Sequence, residues 1–117
     1  MAAPNIVNVT TILGRTAVQQ VTTSATAIVT NAAASNKVLK VNALYISNVD
    51  GVNAADISVA LFRSSVSYEI AHTVSVPADA TLDVISKSIY LEEGDELRLT
   101  ASANSDLEAV CSYEEIS

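Results

Sequence analysis

The chain has 117 residues, half of them hydrophobic and only 16% charged, which fits one domain with a core of its own and excludes general disorder. Its formal charge is −7, and the six basic residues (Arg15, Lys37, Lys40, Arg63, Lys87, Arg98) are scattered. Phosphate contacts need concentrated positive charge, so the balance disfavours direct nucleic-acid binding, and no apolar run approaches the length of a membrane span.

The chain opens Met-Ala-Ala-Pro-Asn-Ile-Val, without the basic start and apolar segment of a signal peptide, so folding in a cytoplasm is expected. Residues 1–13 contain Pro4, Ile6, Val7, Val9, Ile12 and Leu13 and no charged side chain. An uncharged, β-prone segment at a chain end is a candidate arm that adds to a neighbour's sheet edge. It is equally compatible with being the first strand of its own sandwich, with 14–117 as the β domain.

Residues 6–11 read as a short extended segment that Gly14 interrupts, and residues 16–21 and 25–30 read as two further strands. The stretch 31–37 is a loop, because three alanines cannot hold an isolated helix. Residues 38–49 form the longest β run. Strict alternation puts Val41, Ala43, Tyr45 and Val49 on one face and Leu44 and Ile46 on the other, the pattern of a central strand covered on both sides.

Asp50-Gly51 marks a turn, and residues 57–63 follow with Ile57, Val59 and Leu61 in register. Residues 68–76 alternate strictly, with Tyr68, Ile70, His72, Val74 and Val76 on the apolar face. Short strands are expected at 81–85 and 88–91. Glu92-Glu93-Gly94-Asp95 turns the chain into 96–101, where Leu97, Leu99 and Ala101 share a face. Asn104-Ser105-Asp106 turns it again into 107–115. With three Gly and two Pro in the whole chain, Asn, Asp and Ser must build most turns.

Eight or nine short strands with short connections predict an all-β fold, a single antiparallel β-sandwich. The Gly-Asp turn and the missing core Trp favour the jelly-roll type over an immunoglobulin-like one.

Little of the sequence points to chemistry. His72 is the only histidine and sits among apolar neighbours, so it reads as structural, and metal sites built on several histidines are excluded. Cys111 is the only cysteine, reads as a small buried hydrophobe, and leaves no intrachain disulfide. Glu92, Glu93, Asp95 and Glu96 could supply oxygens to a hard cation but read better as a solvated acidic turn. Asp50, Asn53 and Asp56 lack EF-hand spacing and read as a turn as well. Glu114 and Glu115 read as solubilising charges. The expectation is a protein without catalytic, cofactor or metal-binding residues.

Three stretches, NAAASNKVLKVNALYISNVDG, SVPADATLDVISKSIYLEEGDELRLTASA and LEAVCSYEEIS, together resemble small virion structural proteins of tailed phages, particularly those infecting marine cyanobacteria. The resemblance implies a non-enzymatic particle component made in many copies, in first place a capsid decoration or cement protein. Its expected partners are the major capsid protein or other virion proteins and further copies of itself, most simply a trimer. Neither nucleic acid nor membrane is an expected partner, and its expected final location is the virion. A tail, baseplate or fibre-attachment module is the alternative within the particle, and a host-surface carbohydrate-binding domain the alternative of another class.

Overall fold

A computed structural model describes residues 4–5 and 8–117. The described residues form nine strands in two antiparallel sheets: β1 (Ile12–Gln20), β2 (Thr26–Thr30), β3 (Val38–Asn48), β4 (Ala55–Arg63), β5 (Val66–Val76), β6 (Thr81–Asp83), β7 (Ile89–Leu91), β8 (Glu96–Ala101) and β9 (Leu107–Ile116). One sheet has the order β1-β9-β3-β6, with β7 also pairing β3; the other has the order β2-β8-β4-β5. The sheets face each other over one core, as the alternating patterns require, because each sheet has one apolar face to bury.

The pairing is nested. β4 and β5 form the innermost hairpin, β3 pairs with β6 and β7, β2 with β8, and β1 with β9. Two further pairings, β3 with β9 and β4 with β8, fold this nest into the two sheets.

Side chains that the alternation puts inward fill the core. Ile57, Val59 and Leu61 on β4 stand opposite Ala101, Leu99 and Leu97 on β8. Across from them lie Leu39, Val41, Leu44 and Ile46 of β3 and Leu107, Ala109 and Cys111 of β9, all buried. Burying one such Leu or Ile contributes roughly 1.5–3 kcal/mol.

β3 departs from strict alternation. Its register with β9 shifts between Val41 and Ala43, so Asn42 is the extra residue of a bulge. The bulge resets the parity: Val41 is buried with Leu44 and Ile46, while Tyr45 is exposed. The expected grouping of Val41 with Ala43 and Tyr45 is therefore incorrect. β3 is interior to its sheet, with β9 on one side and β6 and β7 on the other, but the expected cover on both faces is absent, since Tyr45 on its outer face is exposed.

Two further expectations change. Gly14 does not break the chain: β1 runs through it, and no left-handed φ is needed there. β5 is an edge strand and not a half-buried one, with Tyr68, Ile70, His72 and Val74 all exposed. Its register shows why. Ile57 pairs with Val74, Val59 with Ala71 and Ala60 with Glu69, so β5 carries two extra residues, and Thr73 has φ 48. Bulges of this kind twist an edge away from further pairing.

Candidate functional site

The residues singled out at the chain start separate into three groups. Ile6 and Val7 lie outside the described residues. Pro4 and Val9 are half-buried and belong to no strand. Ile12 and Leu13 open β1, where they stand opposite Ile116 and Glu115 of β9 and keep 56% and 43% of their surface exposed. The connection into β1 is fixed by the Thr10 and Thr11 amides, which donate to the Ser117 carbonyl at 2.8 and 2.9 Å, and by the Ser117 amide, which donates back to the Thr11 carbonyl at 2.9 Å.

The acidic turn is not the solvated loop its composition suggests. Asp95 is 1% exposed. Its carboxylate accepts the Arg63 Nε–H at 2.8 Å, an Arg63 Nη2–H at 2.5 Å and the Glu92 amide at 2.8 Å. Burial alone would raise the Asp95 pKa, but the Arg63 hydrogen bonds, the Glu92 amide and the Arg63 charge outweigh it, and the net shift is downward. Arg63 is shifted upward, chiefly by its hydrogen bonds to Asp95, and also reaches the exposed Glu92 at 2.8 Å.

Gly94, at φ 89, completes the turn and donates its amide to the Asn31 carbonyl. Glu93 accepts the Asn36 amide at 3.0 Å. The cluster is thus a clamp joining the end of β4 to the β7–β8 turn and to the 31–37 loop. Sequence alone could not pair Arg63 with Asp95 across 32 positions.

Two other carboxylates, Asp50 and Glu115, are also occupied structurally. Asp50 accepts the Val52 and Asn53 amides at 2.8 and 3.2 Å, which lowers its pKa and closes the turn after β3. Glu115 bridges Lys37 (2.5 Å) and Arg15 (2.8 Å), and these partners, the Lys37 bond foremost, hold its pKa down. It therefore ties β1 and the 31–37 loop to β9 and is not a free solubilising charge. Cys111 is fully buried in the core, and burial pushes its thiol up to about 11. His72, expected to be structural among apolar residues, is instead exposed and lies 3.1 Å from Glu69. Among the described residues no three His, Cys, Asp or Glu side chains are placed to hold a metal ion, and no helix is long and apolar enough to cross a membrane.

What stands out is a surface that single-strand patterns do not reveal. Since Ala109 and Cys111 of β9 face the core, Val110 faces outward, and the register sets Val18 of β1 and Tyr45 of β3 directly beside it. Val18, Val110 and Tyr45 are 74%, 40% and 44% exposed and make one apolar row across three strands. The next row, Thr16, Ser112 and Ala43, is built of small residues. A shallow depression of about 350 Å³ lies at one end of the row, lined by Val18, Gln19, Gln20, Glu108, Ala109 and Val110. The signal that could have located this face is the outward phase of Val110 and Tyr45, but it becomes visible only once β1, β9 and β3 are known to be neighbours.

No protein-family model and no curated protein sequence matches the chain. It is similar in structure to a solved chain from Bacillus endospore appendages, described as forming a novel family of disulfide-linked pili. That similarity has a TM-score of 0.54 at 11% sequence identity and covers 100% of this chain and 96% of that one. At such identity the likeness is one of fold.

Proposed function

We propose that the protein is a non-enzymatic structural subunit of a multi-copy particle, in first place a capsid decoration protein that binds the assembled lattice and opposes its separation. The observation that carries this reading is the outward face of the β1-β9-β3 sheet, where Val18, Val110 and Tyr45 form an apolar row beside a flat row of Thr16, Ser112 and Ala43. Contiguous exposed apolar surface on a stable domain marks a contact site. A partner that binds only the assembled lattice stabilises it by mass action, and many modest contacts suffice once copies attach side by side. The sequence resemblance to phage virion proteins supplies the kind of particle, and with it the major capsid protein as partner and the virion as location.

We also read the sandwich as a jelly roll. The nested pairing supports this: with β6 and β7 counted as one position along β3, the strand pairing follows the order expected of an eight-stranded, doubly folded hairpin. The Bacillus pilus protein shares the fold, but fold is a weak guide to function. This chain's one cysteine is buried in the core, which leaves it ill suited to the disulfide links described for that assembly.

Purified protein mixed with assembled capsids and with unassembled capsid subunits tests the reading. Binding to the assembled form alone is expected, and Val110→Asp or Tyr45→Asp should abolish it without loss of the fold. Binding to tail structures instead would favour the tail or baseplate module. Saccharide binding that depends on Tyr45 and Tyr90, exposed on this same face, would favour the carbohydrate-binding alternative.

A further inference from the structure

Among the described residues the sandwich has four edges, and three of them are guarded against pairing. β5 carries two bulges, the β6–β7 edge is interrupted between Asp83 and Ile89, and β2 has five residues with a register shift of its own. β1 has none of these devices: it is nine residues long, its register with β9 is unbroken, and it contains no proline. A long regular edge is a template for another strand.

Alternation determines which backbone groups the edge offers. Thr11 and Ser117 exchange both hydrogen bonds, and the Val21 amide donates to the Leu107 carbonyl at 2.9 Å, so the odd-numbered residues of β1 point their backbone groups at β9. Ile12, Gly14, Thr16, Val18 and Gln20 therefore point theirs outward, along the free edge.

We propose that this edge pairs with the same edge of a second copy, antiparallel and centred on Thr16. In that register Thr16 faces Thr16 of the second copy, Gly14 faces its Val18 and Ile12 faces its Gln20, so every outward-pointing group is matched. The side chains fit as well. Val18 is 74% exposed, and opposite it stands Gly14, around which a Cβ would meet nothing within 4 Å.

The self-complementary register, with Val18 of each copy opposite Gly14 of the other, selects a second copy as the occupant, and the charge on the strand does not oppose it. All thirteen carboxylates lie at or beyond Asp50, and residues 1–49 carry only Arg15, Lys37 and Lys40. The β1 strand itself thus brings no carboxylate to the contact, and its one charge, Arg15, is already paired with Glu115. A pairing centred on one residue closes after two copies, so it gives a dimer where the sequence resemblance leads one to expect a trimer. It does not depend on the capsid reading.

Sedimentation equilibrium of the full chain tests the proposal together with two exposed-site variants. The wild type should dimerise. Thr16→Lys and Thr16→Glu should each be monomeric, because like charges then meet directly across the two-fold axis, and an equimolar mixture of the two should recover a mixed dimer. Circular dichroism checks that both variants fold. Amide exchange of the wild type gives a second readout: Gly14, Thr16 and Val18 should become protected as concentration rises, while Leu13, Arg15 and Ala17 are protected throughout. A strictly monomeric or trimeric wild type, a dimer indifferent to both substitutions, or exchange at Thr16 and Val18 that ignores concentration would overturn the proposal.

Discussion

Asn31 and Asn48 perform the same task at opposite ends of the sandwich. Asn31 follows β2 in one sheet, and its Nδ2 donates to the carbonyls of Lys37 (2.9 Å) and Leu91 (3.0 Å), the latter on β7 of the other sheet. Asn48 ends β3, and its Nδ2 donates to the carbonyls of Asn53 (2.9 Å) and Val76 (2.9 Å), the latter on β5 across the sandwich. Both are almost fully buried, and each Oδ1 is also used, by the Ser35 hydroxyl and by the Asp50 amide. Each amide reaches from the end of a strand in one sheet to a carbonyl of the other sheet and to one in the loop that follows it, and so ties the two sheets together where the ladders end.

Asn31→Ala and Asn48→Ala should each cost about 2 kcal/mol, because buried carbonyls lose their donors. Asn31→Asp should cost more than Asn31→Ala, since it sets a carboxylate oxygen against those carbonyls. Urea denaturation, read as a shift in midpoint at constant slope, checks both.

Asp95 should make the fold acid-sensitive. Its folded pKa lies below the ordinary 3.8, so its stabilisation is fully present above the unfolded value and is lost as pH falls through the folded one. Glu115, also lowered, acts in the same direction. Stability should thus be flat near neutrality and drop below about pH 4. Asp95→Asn should flatten that drop while lowering stability at pH 7 by about 2 kcal/mol. That is less than a fully buried pair would lose, because the Arg63 side chain remains 42% exposed. Thermal melts of both proteins across the acid range provide the measurement.

Cys111 should be chemically silent in the native state. A fully buried thiol shifted to about 11 offers almost no thiolate at neutral pH and no path for a reagent. Labelling with a thiol reagent should be negligible under native conditions and complete in denaturant, and rapid native labelling would show that β9 opens.

Gly94 and Gly14 should respond oppositely to alanine. Neither Cβ would meet a neighbouring atom within 4 Å, so backbone conformation decides. Gly94→Ala should cost about 1 kcal/mol, because φ 89 is strained for any residue with a Cβ. Gly14→Ala should be neutral or stabilise by up to about 1 kcal/mol, through the lost freedom of the unfolded chain. Parallel denaturation curves distinguish the two.

The alternation of Leu97, Leu99 and Ala101 and of Ile57, Val59 and Leu61 was enough to establish an all-β chain and to orient two strands, because period-two burial depends only on local sequence. The burial of Cys111 was readable for the same reason. Bulges were not: nothing in the residues near Asn42 or Thr73 signals an extra residue, which exists only relative to a partner strand, and each one reverses the assignment of the faces beyond it. His72 was misplaced because edge and centre strands can share one pattern.

By itself the sequence determined the strand class, the turns made by Asn, Asp and Gly, and the scarcity of reactive groups, all of them properties of short windows. Only the tertiary structure decided that Asp95 is clamped by Arg63, that Glu115 links three segments, that Val18, Val110 and Tyr45 share one outward row, and that β1 is the unguarded edge. Those relations join residues tens of positions apart, and their existence depends on which strands become neighbours when the two sheets close over their core.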